Sequence, residues 1–85
     1  MTGNGKEPED VLKEVVSSLV SQTERVRITK TTDEEGILFT IHTAPSEVGK
    51  IIGVRGGVII AIRRLFRSIA REQGGRISIK VNQPQ

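Results

Sequence analysis

Apolar residues recur at Val11, Leu12, Val15, Val16, Leu19 and Val20. That is the spacing of one helical face, and it predicts a helix from about Pro8 to Gln22. Pro8 suits a first helical turn, and Glu9 and Asp10 complement the positive end of the helix dipole there. From Arg25 the period changes to two. Val26 and Ile28 alternate with polar residues as far as Thr32, and Ile37, Phe39 and Ile41 do the same as far as Thr43. Asp33-Glu34-Glu35-Gly36 reads as the turn between two strands of a hairpin. Ala44-Pro45-Ser46-Glu47 ends the second strand, since proline disfavours sheet pairing, and Ser46 is the expected N-cap of a short helix that stops at Gly53. A longer helix is predicted from about Gly57 to Gln73, closed by Gly74-Gly75. Its residues Val58, Ile59, Ile62, Leu65, Phe66, Ile69 and Ala70 share one broad face, expected to pack on the sheet. Arg76 to Val81 finishes the pattern as a strand with Ile77, Ile79 and Val81 aligned.

The order helix, strand, strand, helix, helix, strand implies an α+β fold. Three strands that alternate inside and outside need cover on one face only, and three amphipathic helices supply it. The last strand returns through a two-helix crossover, so a mixed three-stranded sheet is the economical arrangement. Residues 1–7 have nothing to bury and are expected to be a disordered tail, leaving one domain over residues 8–85. A chain of 85 residues buries only a modest core. It has no cysteine, which fits a reducing compartment. The first residues lack the apolar stretch of a signal peptide, and no apolar run approaches the roughly 20 residues of a membrane span. A soluble, cytoplasmic protein with no membrane association is expected.

Charge sharpens the picture. The net charge of +3 is unevenly spread: residues 1–47 carry five Lys/Arg and nine Asp/Glu, whereas residues 48–85 carry eight Lys/Arg and one acid, Glu72. The basic half favours an anionic partner, though charge alone does not choose between nucleic acid and membrane, and a solvated helix face accounts for it equally.

That half contains Ile51-Ile52-Gly53-Val54-Arg55-Gly56-Gly57-Val58-Ile59. Glycine accepts positive φ and has no Cβ, so another backbone can come close. A helix opening there aims unpaired N–H groups and its positive dipole end at the approaching group, which suits a phosphate. Arg55 adds a cation inside the glycine pair. Arg63 and Arg64 lie nearer this corner than Arg67 and Arg71, which complement the C-terminal dipole. Ile60 falls within the arginine arc and is either an ordinary exposed residue or part of an apolar binding surface. A purely structural reading also exists, with Gly53 as a C-cap and Gly56-Gly57 as a tight interhelical turn.

Other chemistry is poorly served. A dinucleotide site needs a strand before the glycines, and a P-loop needs Gly-Lys-Ser/Thr after them. His42, the one histidine, faces outward on the second strand with no carboxylate cluster beside it, and Asp33-Glu34-Glu35 is a solvated turn. Nothing marks a nucleophile with its base, a metal site, a cofactor or a small-molecule substrate. Two phenylalanines, both on core faces, and no Tyr or Trp leave no aromatic platform for stacking bases. No enzyme is expected.

Gly49-Lys50-Ile51-Ile52-Gly53-Val54-Arg55-Gly56-Gly57-Val58-Ile59, set in this element order, resembles the KH domain family, with its Ile-Gly-X-X-Gly-X-X-Ile signature between two helices. The order is similar to the bacterial type II arrangement, and the single unit over residues 8–85 resembles the small stand-alone members. The resemblance implies that the loop clamps about four nucleotides of single-stranded RNA by the backbone. Gly53 and Gly56 would admit the RNA backbone, Val54 and Arg55 would be the variable pair, and the main chain through Gly57 would share the contact. Lys50 and Arg55 would meet phosphates, supported by Arg63 and Arg64. Ile51, Ile52 and Ile60 would line an apolar groove for the bases, between the short helix and the sheet edge. Two departures weaken the clamp: Val54 stands where the family commonly has a basic residue, and Ile60 where close relatives carry Lys or Arg.

The resemblance further implies an RNA chaperone or post-transcriptional regulator that self-associates as a homodimer and pairs with a larger RNA-binding protein. A module acting mainly through protein contacts and a binder of single-stranded DNA are the alternatives. Gly53→Asp combined with Gly56→Asp is expected to keep the fold and abolish RNA contact.

Overall fold

The computed structural model describes residues 7–83. Its elements are α1 (Pro8–Leu19), β1 (Arg27–Asp33), β2 (Gly36–His42), α2 (Val48–Ile52), α3 (Gly57–Glu72) and β3 (Ile77–Val81), with single 3-10 turns at Thr23–Arg25, Pro45–Glu47 and Val54–Gly56. The tail expected at residues 1–7 lies outside the described residues except for Glu7, whose backbone N–H donates to Asp10 Oδ2 at 3.2 Å at the start of α1.

The strands lie in the order β1-β2-β3. The hairpin pairs β1 and β2 antiparallel, from Arg27 opposite His42 to Asp33 opposite Gly36. β3 joins β2 in parallel, with Ile37 opposite Ile77 and Ile41 opposite Val81. A parallel neighbour needs a long crossover, and α2, the glycine corner and α3 form it. The fold is therefore α+β, with a mixed sheet covered on one face by three helices. At the hairpin end the Ile37 N–H donates to the Arg76 carbonyl at 2.9 Å. A Cβ on Gly36, at φ 137°, would collide with that carbonyl, so only glycine lets the two segments meet.

Phe39 and Ile41 of the central strand meet Leu12 and Val16 of α1, Ile51 of α2, Ile59, Ile62 and Phe66 of α3, and Ile79 and Val81 of β3 in one buried cluster. The Phe39 and Phe66 rings meet edge to face at 6.5 Å, which ties α3 to the sheet. Alternation puts Arg27, Thr29, Thr40 and His42 on the open face of the sheet. There His42 Nε2 lies 3.1 Å from Thr29 Oγ1.

Three local expectations are corrected. The first helix stops at Leu19 rather than Gln22, because the next N–H groups, of Ser21 and Gln22, donate to the Glu47 carboxylate at 2.7 and 2.8 Å. Ser46 caps nothing: the chain enters α2 through the Pro45–Glu47 turn with no side-chain cap. Leu65 is 47% exposed rather than packed on the sheet. At 100° per residue it stands well round the helix from Ile59 and Ile62, beyond the arc that a single sheet covers.

Candidate nucleic-acid interface

Local sequence forces the shape of the corner. α2 is closed by the Gly53 N–H donating to the Gly49 carbonyl at 2.8 Å. Gly53 itself takes φ 78°, ψ 175°, a region essentially reserved for glycine. Space is equally decisive there. A Cβ on Gly53 would overlap the Val58 side chain and come within 2.8 Å of the Val58 backbone nitrogen. Arg55 follows at φ 55°, ψ 28°, the one non-glycine residue at positive φ among the described residues. Gly56 then takes φ 75°, ψ 14° as the N-cap of α3, with no side chain capping the helix. Its hypothetical Cβ would meet only Ile60 Cδ1, at an ordinary 3.9 Å.

The resulting surface is open backbone at the start of a 16-residue helix. The Gly56 and Gly57 N–H groups are taken by the Gly53 and Val54 carbonyls within the turn, so the positive charge there comes from the dipole and from the N–H groups that follow in the first turn of α3. Arg55 is exposed beside it, and Val54 projects from the tip at 86% exposure. Ile60, 45% exposed, lies against the loop on the α3 side. Ile52 is partly buried and Gly57 exposed.

Three expected contacts are placed differently. Ile51 is 0% exposed and belongs to the core, so it lines no groove; Ile52 and Ile60 remain as apolar lining. Lys50 Nζ is engaged 3.0 Å from Glu47 Oε1 and 3.3 Å from Ser21 Oγ, so a phosphate contact there requires breaking an ion pair. Arg63 Nε donates to the Ile79 carbonyl at 3.1 Å, pinning α3 to β3 with part of its guanidinium. Arg64 is exposed. The pair of Asp substitutions is no clean probe either, since Asp at Gly53 meets the Val58 overlap and disturbs the first turn of α3.

Glu47 is the residue that the sequence did not reveal. It is 3% exposed, and its carboxylate accepts the Ser21 and Gln22 N–H groups and faces Lys50. Those two backbone donors, with a smaller contribution from Lys50, outweigh burial and hold its carboxyl at about 2, against 4.5 ordinarily. It ties the loop after α1 to the segment that leads into the glycine corner. Its partners are 25 and 26 positions away in sequence, and no local pattern marks such a clasp.

Among the described residues no three His, Cys, Asp or Glu side chains gather to hold a metal ion, and no helix is long and apolar enough to cross a membrane.

The sequence model of a family described as KhpA/KhpB, KH domain, matches residues 9–81. Among curated proteins, the chain is 33% identical over 72 residues to the RNA-binding protein KhpA of Chlamydia pneumoniae, covering 85% of this chain and 92% of the relative. It is 28% identical over 72 residues to the RNA-binding protein KhpA of Aquifex aeolicus, covering 85% and 91%. Against the RNA-binding protein KhpA of Clostridium acetobutylicum it is 28% identical over 71 residues, covering 84% and 95%.

Proposed function

This chain belongs to the KhpA/KhpB KH-domain family, and on that footing we propose that it binds single-stranded RNA by its backbone at Gly53-Val54-Arg55-Gly56. The observation that carries the reading is the corner itself: three of those four residues at positive φ, leading into a helix N-terminus without a side-chain cap. Such a corner accepts a sugar–phosphate chain and rejects little by sequence. Arg55 supplies the nearest cation, and Arg63 and Arg64 the next. Val54 in place of a basic residue and Ile60 beside the loop make the clamp weak, with a shallow salt dependence. In a cell it acts as a cytoplasmic RNA chaperone or post-transcriptional regulator.

Titration of the protein with tetrauridylate, followed by amide resonances, tests this. Shifts centred on residues 53–57 are expected, and unmoved resonances at saturating RNA would end the proposal. Competition between matched RNA and DNA oligomers decides whether the 2′-hydroxyl matters.

A second reading, a module acting through protein contacts, is favoured by Leu65, exposed on α3. Two copies joined through this helix, or one copy joined to a KhpB-like RNA-binding protein, would bind one strand with raised effective concentration. Sedimentation of wild type and Leu65→Glu at micromolar concentration, with and without RNA, tests it. A wild type that stays monomeric in both conditions counts against self-association.

A further inference from the structure

We propose that the open face of the sheet carries a second phosphate site, separate from the glycine corner, where Arg25, Arg27, His42 and Asn82 take the backbone of another stretch of RNA. The choice of RNA as the source of the phosphate rests on the reading of the corner; the site itself does not.

The strand register builds the site. β1 begins, and β2 and β3 end, at the same end of the sheet. Arg27 stands opposite His42. The Asn82 N–H donates to the Ile41 carbonyl at 2.9 Å, which holds Asn82 beside His42 on the third strand. Neighbouring strands lie about 4.8 Å apart, so this row of three spans roughly 10 Å. In the next outward row Lys80 stands opposite Thr40, and Thr40 opposite Thr29. Arg25 comes from the turn before β1 and shares with Arg27, His42 and Asn82 a cleft of about 400 Å³.

The donors of this cleft are unspent. Arg25, Arg27 and Asn82 are exposed, and among the described residues their side chains make no hydrogen bond or ion pair. Lys30, Lys50, Arg63 and Arg76 are each engaged. His42 is half-buried, with Nε2 3.1 Å from Thr29 Oγ1; where that hydroxyl donates, Nδ1 carries the ring proton and is a further donor. Guanidinium, amide and imidazole N–H groups around one cleft match the oxygens of a phosphate. Glu24, the acid of the cleft, repels a phosphate on its own side and leaves the Arg27–His42–Asn82 row as the seat. Asp33 stands at the far end of the same face, six residues along β1 from Arg27 and about 20 Å away. The glycine corner belongs to the crossover that covers the other face, so one chain offers two seats on opposite sides of the sheet. A protein so built holds two segments of RNA at once.

The bland account makes Arg25 and Arg27 solvated charges on a threonine-rich face, with no response to RNA. Tetrauridylate with a 5′-hydroxyl and uridine 5′-monophosphate should therefore each be titrated into wild type and Arg25→Gln/Arg27→Gln, followed by amide resonances. With tetrauridylate, wild type is expected to show a second set of shifts, at residues 25–27, 42–43 and 82, saturating with its own constant beside the set at 53–57. The variant loses the second set and keeps the first. Raising the salt weakens the second set with a log–log slope of about 0.7–1.4, one or two phosphates at ~0.7 each. A second set that stays still in wild type overturns the site, while shifts at 53–57 leave the corner intact. A variant whose second set matches wild type, or a flat salt response, overturns it too. A second set moved by the monophosphate and not by the tetramer assigns the cleft to a free nucleotide and overturns the RNA backbone as its ligand. If the second set moves and residues 53–57 do not, the corner falls and the open face stands. Should the variant lose its fold, the wild-type salt response still decides.

Discussion

Replacing Gly53 by Ala is expected to damage the fold far more than replacing Gly56 by Ala, although the two are equivalent in the family signature. At Gly53 two costs combine. Its φ 78°, ψ 175° region costs a residue with a Cβ about 1–3 kcal/mol. The new Cβ also overlaps the Val58 side chain and backbone nitrogen, and because a helix backbone cannot rotate away, relief requires moving the first turn of α3. Overpacking of that kind costs about 1–3 kcal/mol, giving roughly 2–6 kcal/mol together. Gly56→Ala meets open space and an ordinary contact with Ile60, so only the left-handed backbone counts, about 1–2 kcal/mol. The whole domain is stable by roughly 4–13 kcal/mol, so Gly53→Ala removes a large part of it. In melting temperature, each kcal/mol is about 4–8 °C at this size. Urea denaturation followed by circular dichroism reads the difference from the midpoints, provided the slopes are unchanged. If the two variants lie within about 1 kcal/mol of each other, or Gly56→Ala is the worse, the steric argument is wrong.

Three further outcomes are expected. Arg55→Asn keeps or raises stability, because Asn tolerates the left-handed region better than Arg, while RNA affinity falls and the salt slope lessens by about 0.7; an unchanged slope removes Arg55 from the phosphate contacts. The Glu47 carboxyl has a folded pKa of about 2, below its ordinary 4.5, so the stability it contributes is complete above about pH 4.5 and vanishes as pH falls through about 2. Over that window the wild-type urea midpoint should fall more steeply than that of Glu47→Gln, and parallel profiles would refute the clasp. Phe66→Ala opens a cavity beneath α3 and loses the edge-to-face contact with Phe39, costing about 3–5 kcal/mol by chemical denaturation; a loss below 1 kcal/mol would mean that α3 does not depend on this contact.

Much of this architecture was legible because it follows from periodicity. The alternation of Ile37, Phe39 and Ile41 located the central strand, and the 3.6-residue repeat of Ile59, Ile62 and Phe66 gave the inner face of α3. What escaped was settled by partners distant in sequence. Leu65 satisfies the helical pattern loosely, but one sheet covers too narrow an arc to reach it. Ile51 reads as a surface residue next to a binding loop, yet a five-residue helix has no stripe wide enough to show which side is buried. Glu47 looks like a first-turn acid and is a buried acceptor for the chain that leaves α1. In the candidate site, the glycines announce the corner by composition, whereas the engagement of Lys50 and Arg63 depends on packing between elements.

The parallel pairing of β3 has a consequence for the order in which this protein becomes competent. The hairpin closes over a few residues and needs no other part of the chain, but β3 registers with β2 only after residues 43–76 have been arranged. Closing so long a span is slow compared with closing a hairpin. The glycine corner lies inside that span. On an emerging polypeptide the corner therefore lacks the completed sheet beneath it until Val81 has left the ribosome.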